Sequence, residues 1–193
     1  MGRLSQGTTS IVFVIALILS GCAWQRIPAA PSYTAPSPLP FRVGIVLDNT
    51  QASAYYGPGV VNLWKEMRVF ESVTYPYREG DPVDGVLRLM INGGWKGEGA
   101  GAGFLIGLTL GLASAAVGPS MTGVHDAAAT LTRNAVEVAR YSVHVESTVT
   151  WGLGANTTEV SSKAEDLQRR KLAVELAQKL EADRSVLVKA FVK

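Results

Sequence analysis

The only cysteine of the 193-residue chain, Cys22, ends an N-terminal apolar run and thereby limits what can hold the rest of the chain together. A short polar head with Arg3 precedes an apolar stretch from Ile11 to Leu19. This order is typical of a secretory signal peptide, so residues 1–21 are expected to serve export and to stay outside the fold. Because no second cysteine follows, the mature chain cannot form an internal disulfide and depends on its core.

The residues Leu19-Ser20-Gly21-Cys22 resemble the lipobox of bacterial lipoproteins. The resemblance implies that Cys22 takes a diacylglyceryl group and becomes the mature N-terminus, which provides a lipid anchor of about 0.8 kcal/mol per buried CH2. The alternative is a general signal peptide followed by a stray buried cysteine. Ala23 stands where an Asp would imply retention at the inner membrane of a Gram-negative cell, so the outer membrane is favoured, with the domain in the periplasm.

The part of the chain after Cys22 divides into a tether and one domain. Residues 22–40 are rich in Pro, Ala and Ser, and the prolines are too closely spaced for helix or sheet, which predicts an extended tether. Residues 41–193 have the length of one ordinary domain with one core. The formal net charge is only +2, so no nucleic-acid partner is indicated.

Hydrophobic periodicity predicts an α+β domain with a mixed sheet of about five strands and two helices on one face. A helix is expected to follow Gly57-Pro58-Gly59, and Ser162 with Glu165 suits a capping box that opens a second helix with Leu172, Leu176 and Leu180 on one stripe. The predicted strands cover residues 41–47, 69–77, 83–92, 141–151 and 185–192.

A hydrophobic insertion at about residues 99–133 interrupts this domain. From Gly99 to His125 no side chain is charged, and residues 103–118 are apolar all round. As a helix this stretch spans about 24 Å, and Gly103, Gly107 and Gly111 would form a small-xxx-small packing face. Pro119 breaks the stretch, and residues 121–131 are predicted to return as the second leg of a helical hairpin.

Three placements of this hairpin stay open: inserted in or lying on a membrane, packed against protein, or a single crossing. Asp126 in the second leg is costly at mid-membrane, so it is expected to face an oligomer or an interface. Residues 97–102 also fit a loose G-x-G-x-x-A pattern. A dinucleotide site is disfavoured there because the following helix lacks an amphipathic face and no prompt parallel strand follows.

Residues that could carry catalysis or bind a metal are scarce. His125 and His144 are the only histidines, and neither has a second ligand at metal spacing. His144 alternates with Ser142 and Glu146 on one strand face, which indicates an exposed polar ladder. With no nucleophile elbow and no phosphate loop, the sequence predicts no enzyme activity, no metal and no cofactor.

The lipobox, Pro-rich tether, small domain and Gly-rich insertion together resemble the layout of the TraT outer-membrane lipoproteins. The order of strands and helices is similar to the fold of the TolB N-terminal domain and of CsgG. These resemblances imply a non-enzymatic homo-oligomer anchored in membrane lipid through Cys22, with a structural, barrier or secretion-associated envelope role. The alternative is a periplasmic assembly factor of the LptE type, whose apolar insertion docks in an outer-membrane barrel or secretion partner.

Overall fold

The computed structural model describes residues 25–98, 120–152 and 155–192. Six strands form one mixed sheet in the order β1-β6-β5-β4-β2-β3, so the predicted α+β class is confirmed, with one strand and one helix more than expected. The elements are β1 Gln25–Arg26, β2 Leu39–Leu47, α1 Gln51–Glu66, β3 Phe70–Thr74, β4 Gly85–Glu98, β5 Ser120–Arg133, β6 Val136–Trp151, α2 Thr157–Ala182 and α3 Arg184–Phe191.

These described residues group into two compact units. The small unit consists of residues 25–28, 97–98, 120–122, 148–152 and 155–164. The large unit consists of residues 29–96, 123–147 and 165–192. Strands β4, β5 and β6 and helix α2 each contribute residues to both units.

The parallel part of the sheet is built on β2. It pairs with β3 on one side, where Val43 faces Val73, and with β4 on the other, where Ile45 faces Leu87. Val43, Ile45 and Leu87 have no exposed surface. Alternate residues of these strands therefore point into the helix layer, as the period of two in the sequence predicted.

Strands β4, β5 and β6 form an antiparallel meander. Along β4, Gly85 lies against the Thr132 carbonyl and Gly93 against the Val124 carbonyl, so the two strands run in opposite directions. The turn from β5 to β6 contains Asn134 and Ala135, with φ of 50° and 64°. A type I′ hairpin needs positive φ at both central residues, and Asn is one of the residues that tolerate it.

Helix α1 begins earlier than the sequence predicted. Its N-cap is Thr50, whose hydroxyl accepts a hydrogen bond from the Ser53 backbone N–H at 3.0 Å. Pro58 consequently lies inside the helix and not at its start. Glycine at position 57 permits this packing, because a Cβ there would be 2.6 Å from the Leu47 side chain.

The core lies between the helices and one face of the sheet. Trp64 of α1 has no exposed surface and donates its indole N–H to the Ala173 carbonyl of α2 at 2.9 Å. The predicted stripe of Leu172, Leu176 and Leu180 is buried. Helix α2 nevertheless begins before the predicted capping box, since the side-chain oxygen of Asn156 accepts from the Thr158 and Glu159 backbone N–H groups.

The predicted second helical leg, residues 121–131, is wrong. These residues belong to strand β5, in which Gly123, His125, Ala127, Ala129 and Leu131 are buried at every second position. A run of alanines favours a helix in isolation. Pairing with a strand on each side decides otherwise, because side-chain packing in a sheet can override local propensity.

The predicted final strand, residues 185–192, is also wrong. This segment forms α3, and its buried residues Leu187 and Phe191 are four positions apart. Phe191 stacks on Phe41 with ring centroids 4.4 Å apart. The many β-branched residues suggested a strand, but the spacing of the two buried side chains is that of a helix.

The part of the predicted tether that the structure describes contains little regular structure. Residues 27–38 form neither helix nor strand. Tyr33 is half-buried and packs against the core of the large unit. The guanidinium of Arg184 donates to the carbonyls of Ser37 and Pro38. These residues therefore lie on the large unit.

Candidate functional site

The small unit contains a group of strand ends that meet at one end of the sheet. In β1, Gln25 pairs with Trp151 and Arg26 pairs with Thr150 of β6 in antiparallel register. Beside this pairing, the hydroxyls of Thr122 on β5 and Thr148 on β6 lie 3.0 Å apart. The chain that follows Cys22 is thereby fixed beside the end of β6.

Strands β4 and β5 end in the same small unit. Strand β4 ends at Glu98 and β5 begins at Ser120, and the two strands are hydrogen-bonded neighbours. Residues 99–119, which contain most of the uncharged glycine-rich sequence, connect them. Because β1, β6, β5 and β4 are consecutive in the sheet, about three strand spacings, or roughly 14 Å, separate β1 from β4.

The sheet face opposite the helices carries an exposed polar pair in the large unit. Nδ1 of His144 on β6 and Oδ1 of Asp126 on β5 are 2.8 Å apart, and the two side chains are 60% and 68% exposed. The hydrogen bond to Asp126 raises the pKa of His144 above its usual value. A shallow groove of about 310 Å³ beside them also borders Met90 and Ala128.

His125, next to Asp126, has the opposite surroundings. It has no exposed surface, and its ring packs edge-on against Tyr56 with centroids 4.5 Å apart. Trp95 lies beside it and donates its indole N–H to the Tyr56 hydroxyl at 2.9 Å. Within the described residues, neither ring nitrogen of His125 has a hydrogen-bond partner.

A buried amide completes this cluster. Gln168 of α2 has no exposed surface and donates from Nε2 to the Gly123 carbonyl at 2.9 Å, while its Oε1 has no partner among the described residues. Burial lowers the pKa of His125, and the adjacent Asp126 opposes this only in part. His125 is therefore neutral at pH 7 and behaves as a core residue.

The two histidines are expected to give opposite pH dependences of stability. Because burial depresses the pKa of His125 below its ordinary 6.5, the unfolded chain binds more protons there, and stability falls as the pH drops below 6.5. The raised pKa of His144 gives stability that is present below pH 6.5 and is lost as the pH rises through its folded value. Among the described residues, the ionisable groups next to His125 are Tyr56 and Asp126, with Arg169 stacked over Tyr56.

We expect His125→Leu to weaken the loss of unfolding free energy between pH 7.5 and pH 5.5, and His144→Gln to increase it. Urea titrations at both pH values measure this change. If the wild type and the His125→Leu variant lose the same unfolding free energy between pH 7.5 and pH 5.5, His125 does not have a lowered pKa in the folded protein.

Most site residues predicted from sequence lie outside the described residues: Cys22, Gly103, Gly107, Gly111 and Pro119. The predicted exposure of His144 is confirmed. The expectation for Asp126 is corrected, because it lies on a strand with its carboxylate exposed beside His144 and not on a hairpin helix. No sequence pattern indicated the contacts of buried His125, since its ring packs against Tyr56 of α1 and Trp95 of β4, which are distant in the chain.

Two properties bear on the kind of site. Across residues 25–98, 120–152 and 155–192, no group of three or more His, Cys, Asp or Glu side chains could hold a metal ion. No helix in the same ranges is long and apolar enough to cross a membrane.

Comparisons with known proteins give structural similarities only. No protein-family model and no curated protein matches the chain. The chain is similar to the minor lipoprotein of Acinetobacter baumannii, with a TM-score of 0.46, 9% identity and coverage of 74% of this chain and 94% of that one. It is also similar to the uncharacterized lipoprotein B of Nitrosomonas europaea, with a TM-score of 0.47 and 10% identity. That match covers 83% of this chain and 96% of the other. The match to the rare lipoprotein B of Shewanella oneidensis has a TM-score of 0.40 and 9% identity, and it covers 77% of this chain and 98% of the other. Similarity at this level transfers no function.

Proposed function

We propose that the chain is a non-enzymatic outer-membrane lipoprotein, anchored through acylated Cys22, whose small unit faces the lipid. One observation carries this proposal: the strand that follows Cys22 and the two strand ends that flank residues 99–119 belong to one end of the sheet. The lipobox and the uncharged glycine-rich sequence are the chain's two apolar features besides its core. The described residues that adjoin each of these two features lie at the same end of the sheet.

The distances support a single lipid surface. Three residue steps separate Cys22 from Gln25, which span at most about 11 Å. The ends of β4 and β5 lie within about 14 Å of β1 across the sheet. An acyl chain on Cys22 and the apolar side chains after Glu98 can therefore enter the same leaflet.

The corrected strand β5 narrows the part of the chain that can contact lipid. Ser120 to Arg133 belong to the sheet, so we place the proposed membrane contact in residues 99–119. We propose that Gly103, Gly107 and Gly111 contact other copies there and form a homo-oligomer. Close approach of backbones at small residues is the usual way in which membrane segments associate.

Lipid contact can be tested by removing the two apolar features separately. In one variant, residues 1–21 are replaced by a general secretory signal and Cys22→Ser removes the acylation site. We expect this chain to stay in the membrane fraction through residues 99–119. Additional replacement of residues 99–119 by an Asn-Gly turn should release it into the soluble fraction.

Two controls define the result. The chain with the turn but with Cys22 intact should remain in membranes, because acylation alone anchors it. If the Cys22→Ser chain with residues 99–119 present is fully soluble, the segment does not contact lipid. Stoichiometric co-purification with an outer-membrane barrel would then favour the assembly-factor alternative.

The homo-oligomer has its own test, since Gly107→Leu should abolish it in mild detergent.

A further inference from the structure

Strand β6 has a long outer edge that no other described strand covers. It borders β5 on one side, and on the other it pairs with β1 only at Thr150 and Trp151. The backbone of residues 136–149 therefore faces no strand there within the described residues. An edge of this length is a template for pairing with another chain.

The phase of this edge follows from contacts on both sides. Asp126 with His144, and Thr122 with Thr148, are joined through their side chains. Such close contacts are typical of non-hydrogen-bonded pairs in an antiparallel ladder, whose backbone groups point away from each other. From Arg140 to Thr148, where exposed and buried residues alternate strictly, the even-numbered residues of β6 therefore direct their N–H and C=O groups to the outer edge.

We propose that this edge binds the same edge of a second copy in antiparallel register about a two-fold axis at Val143. In that register Arg140 lies opposite Glu146 of the second copy, and Ser142 lies opposite His144 of the second copy. The symmetry produces the Arg–Glu contact twice. The inference rests on the homo-oligomer of the proposed function and names a second interface for it.

The neighbouring registers are less favourable. An axis at Ser142 places Arg140 opposite His144, two groups that carry like charge at acidic pH. An axis at His144 sets the two imidazoles against each other and leaves Arg140 without an opposite carboxylate. Of these three axes, only the one at Val143 places oppositely charged side chains against each other, and opposite charges across a ladder stabilise it whereas like charges destabilise it.

Lys171 of α2 protects this edge in the single chain. Its ammonium donates to the Glu146 carbonyl at 2.8 Å, and lysine at an exposed edge is a common safeguard against unwanted pairing. In the pairing about Val143, the Glu146 carbonyl accepts a hydrogen bond from the backbone N–H of Arg140 of the second copy instead. When the edge associates, the backbone N–H of Arg140 of the second copy therefore replaces the Lys171 ammonium as the donor to this carbonyl.

The test uses charge reversal in the full chain, solubilised in mild detergent. Arg140→Glu and Glu146→Arg each create two like-charge contacts, so each should weaken association about tenfold or more. The double variant restores opposite charges across the edge and should recover most of the association. It loses the ion pair between Arg140 and Glu137 of the same strand. Arg88→Glu, on the open sheet face away from the edge, is the matched control and should change nothing.

Mixing the two single variants tests the register itself. Both chains also carry Gly107→Leu, which removes association through residues 99–119. A chain with Arg140→Glu and a chain with Glu146→Arg then form two complementary contacts when they pair, so native mass spectrometry should show mainly the mixed dimer. Unaltered association of both single variants, or a mixture without mixed dimers, would overturn the proposal. If Gly107→Leu abolishes association while the charge-reversal variants associate as the wild type does, the homo-oligomer of the proposed function stands and the edge interface does not.

Discussion

Deletion of residues 99–133 is expected to abolish folding, whereas deletion of residues 99–119 with an Asn-Gly turn in their place should leave a cooperatively folded domain. The longer deletion removes all of β5, which lies between β4 and β6 and buries His125, Ala127, Ala129 and Leu131. Net domain stability is only about 5–15 kcal/mol, too little to tolerate the loss of an interior strand. The shorter deletion joins two neighbouring antiparallel strand ends with a turn suited to them.

Far-UV circular dichroism and urea unfolding of the two deletion variants measure this difference. A sharp urea transition is expected for the shorter deletion and none for the longer one. A cooperative transition in both variants would show that β5 is dispensable. Loss of folding in both would show that residues 99–119 are themselves needed for the fold.

Gly93→Ala is expected to lower the free energy of unfolding by about 3 kcal/mol or more, the upper range for a single substitution. Gly93 has a φ of 116°, and a Cβ there would be 2.1 Å from the Val124 carbonyl oxygen and 2.8 Å from the Cα of His125. Both obstacles are backbone atoms, which cannot rotate away. Relief would require β4 and β5 to separate beside the buried histidine.

Gly94→Ala is the matched control. A Cβ at Gly94 meets no atom within 4 Å, and alanine is normally better than glycine in a strand by about 0.5–1 kcal/mol. The urea midpoint of Gly93→Ala should therefore lie clearly below that of Gly94→Ala, by more than the error of the two titrations. Equal stability of the two variants would show that the β4–β5 contact at Gly93 is not as close as described.

The sequence predicted the elements whose patterns were unambiguous. Alternation along residues 141–151 indicated β6, and leucines four positions apart indicated the buried stripe of α2. The α+β class followed from the order of these elements. These patterns succeeded because the buried face of each element is continuous in the sequence.

The errors arose where local preference and tertiary pairing disagree. Residues 121–131 are rich in alanine and suggested a helix, but β4 and β6 hold them in the sheet. Residues 185–192 are rich in β-branched side chains, but the burial of Leu187 and Phe191 requires a helix. The His125 cluster could not be predicted, because Tyr56, Trp95 and Gln168 come from three separate elements.

The packing of the segment after Cys22 has a consequence for the encounter of the protein with partners. A free proline-rich linker over residues 22–40 would reach about 60 Å at 3.1 Å per residue. Gln25 and Arg26 are instead paired with β6, and Tyr33 and Pro38 are held on the large unit. With Cys22 acylated as proposed, the chain diffuses in two dimensions next to the lipid. Its effective concentration is therefore high toward proteins of the same membrane and low toward those beyond it.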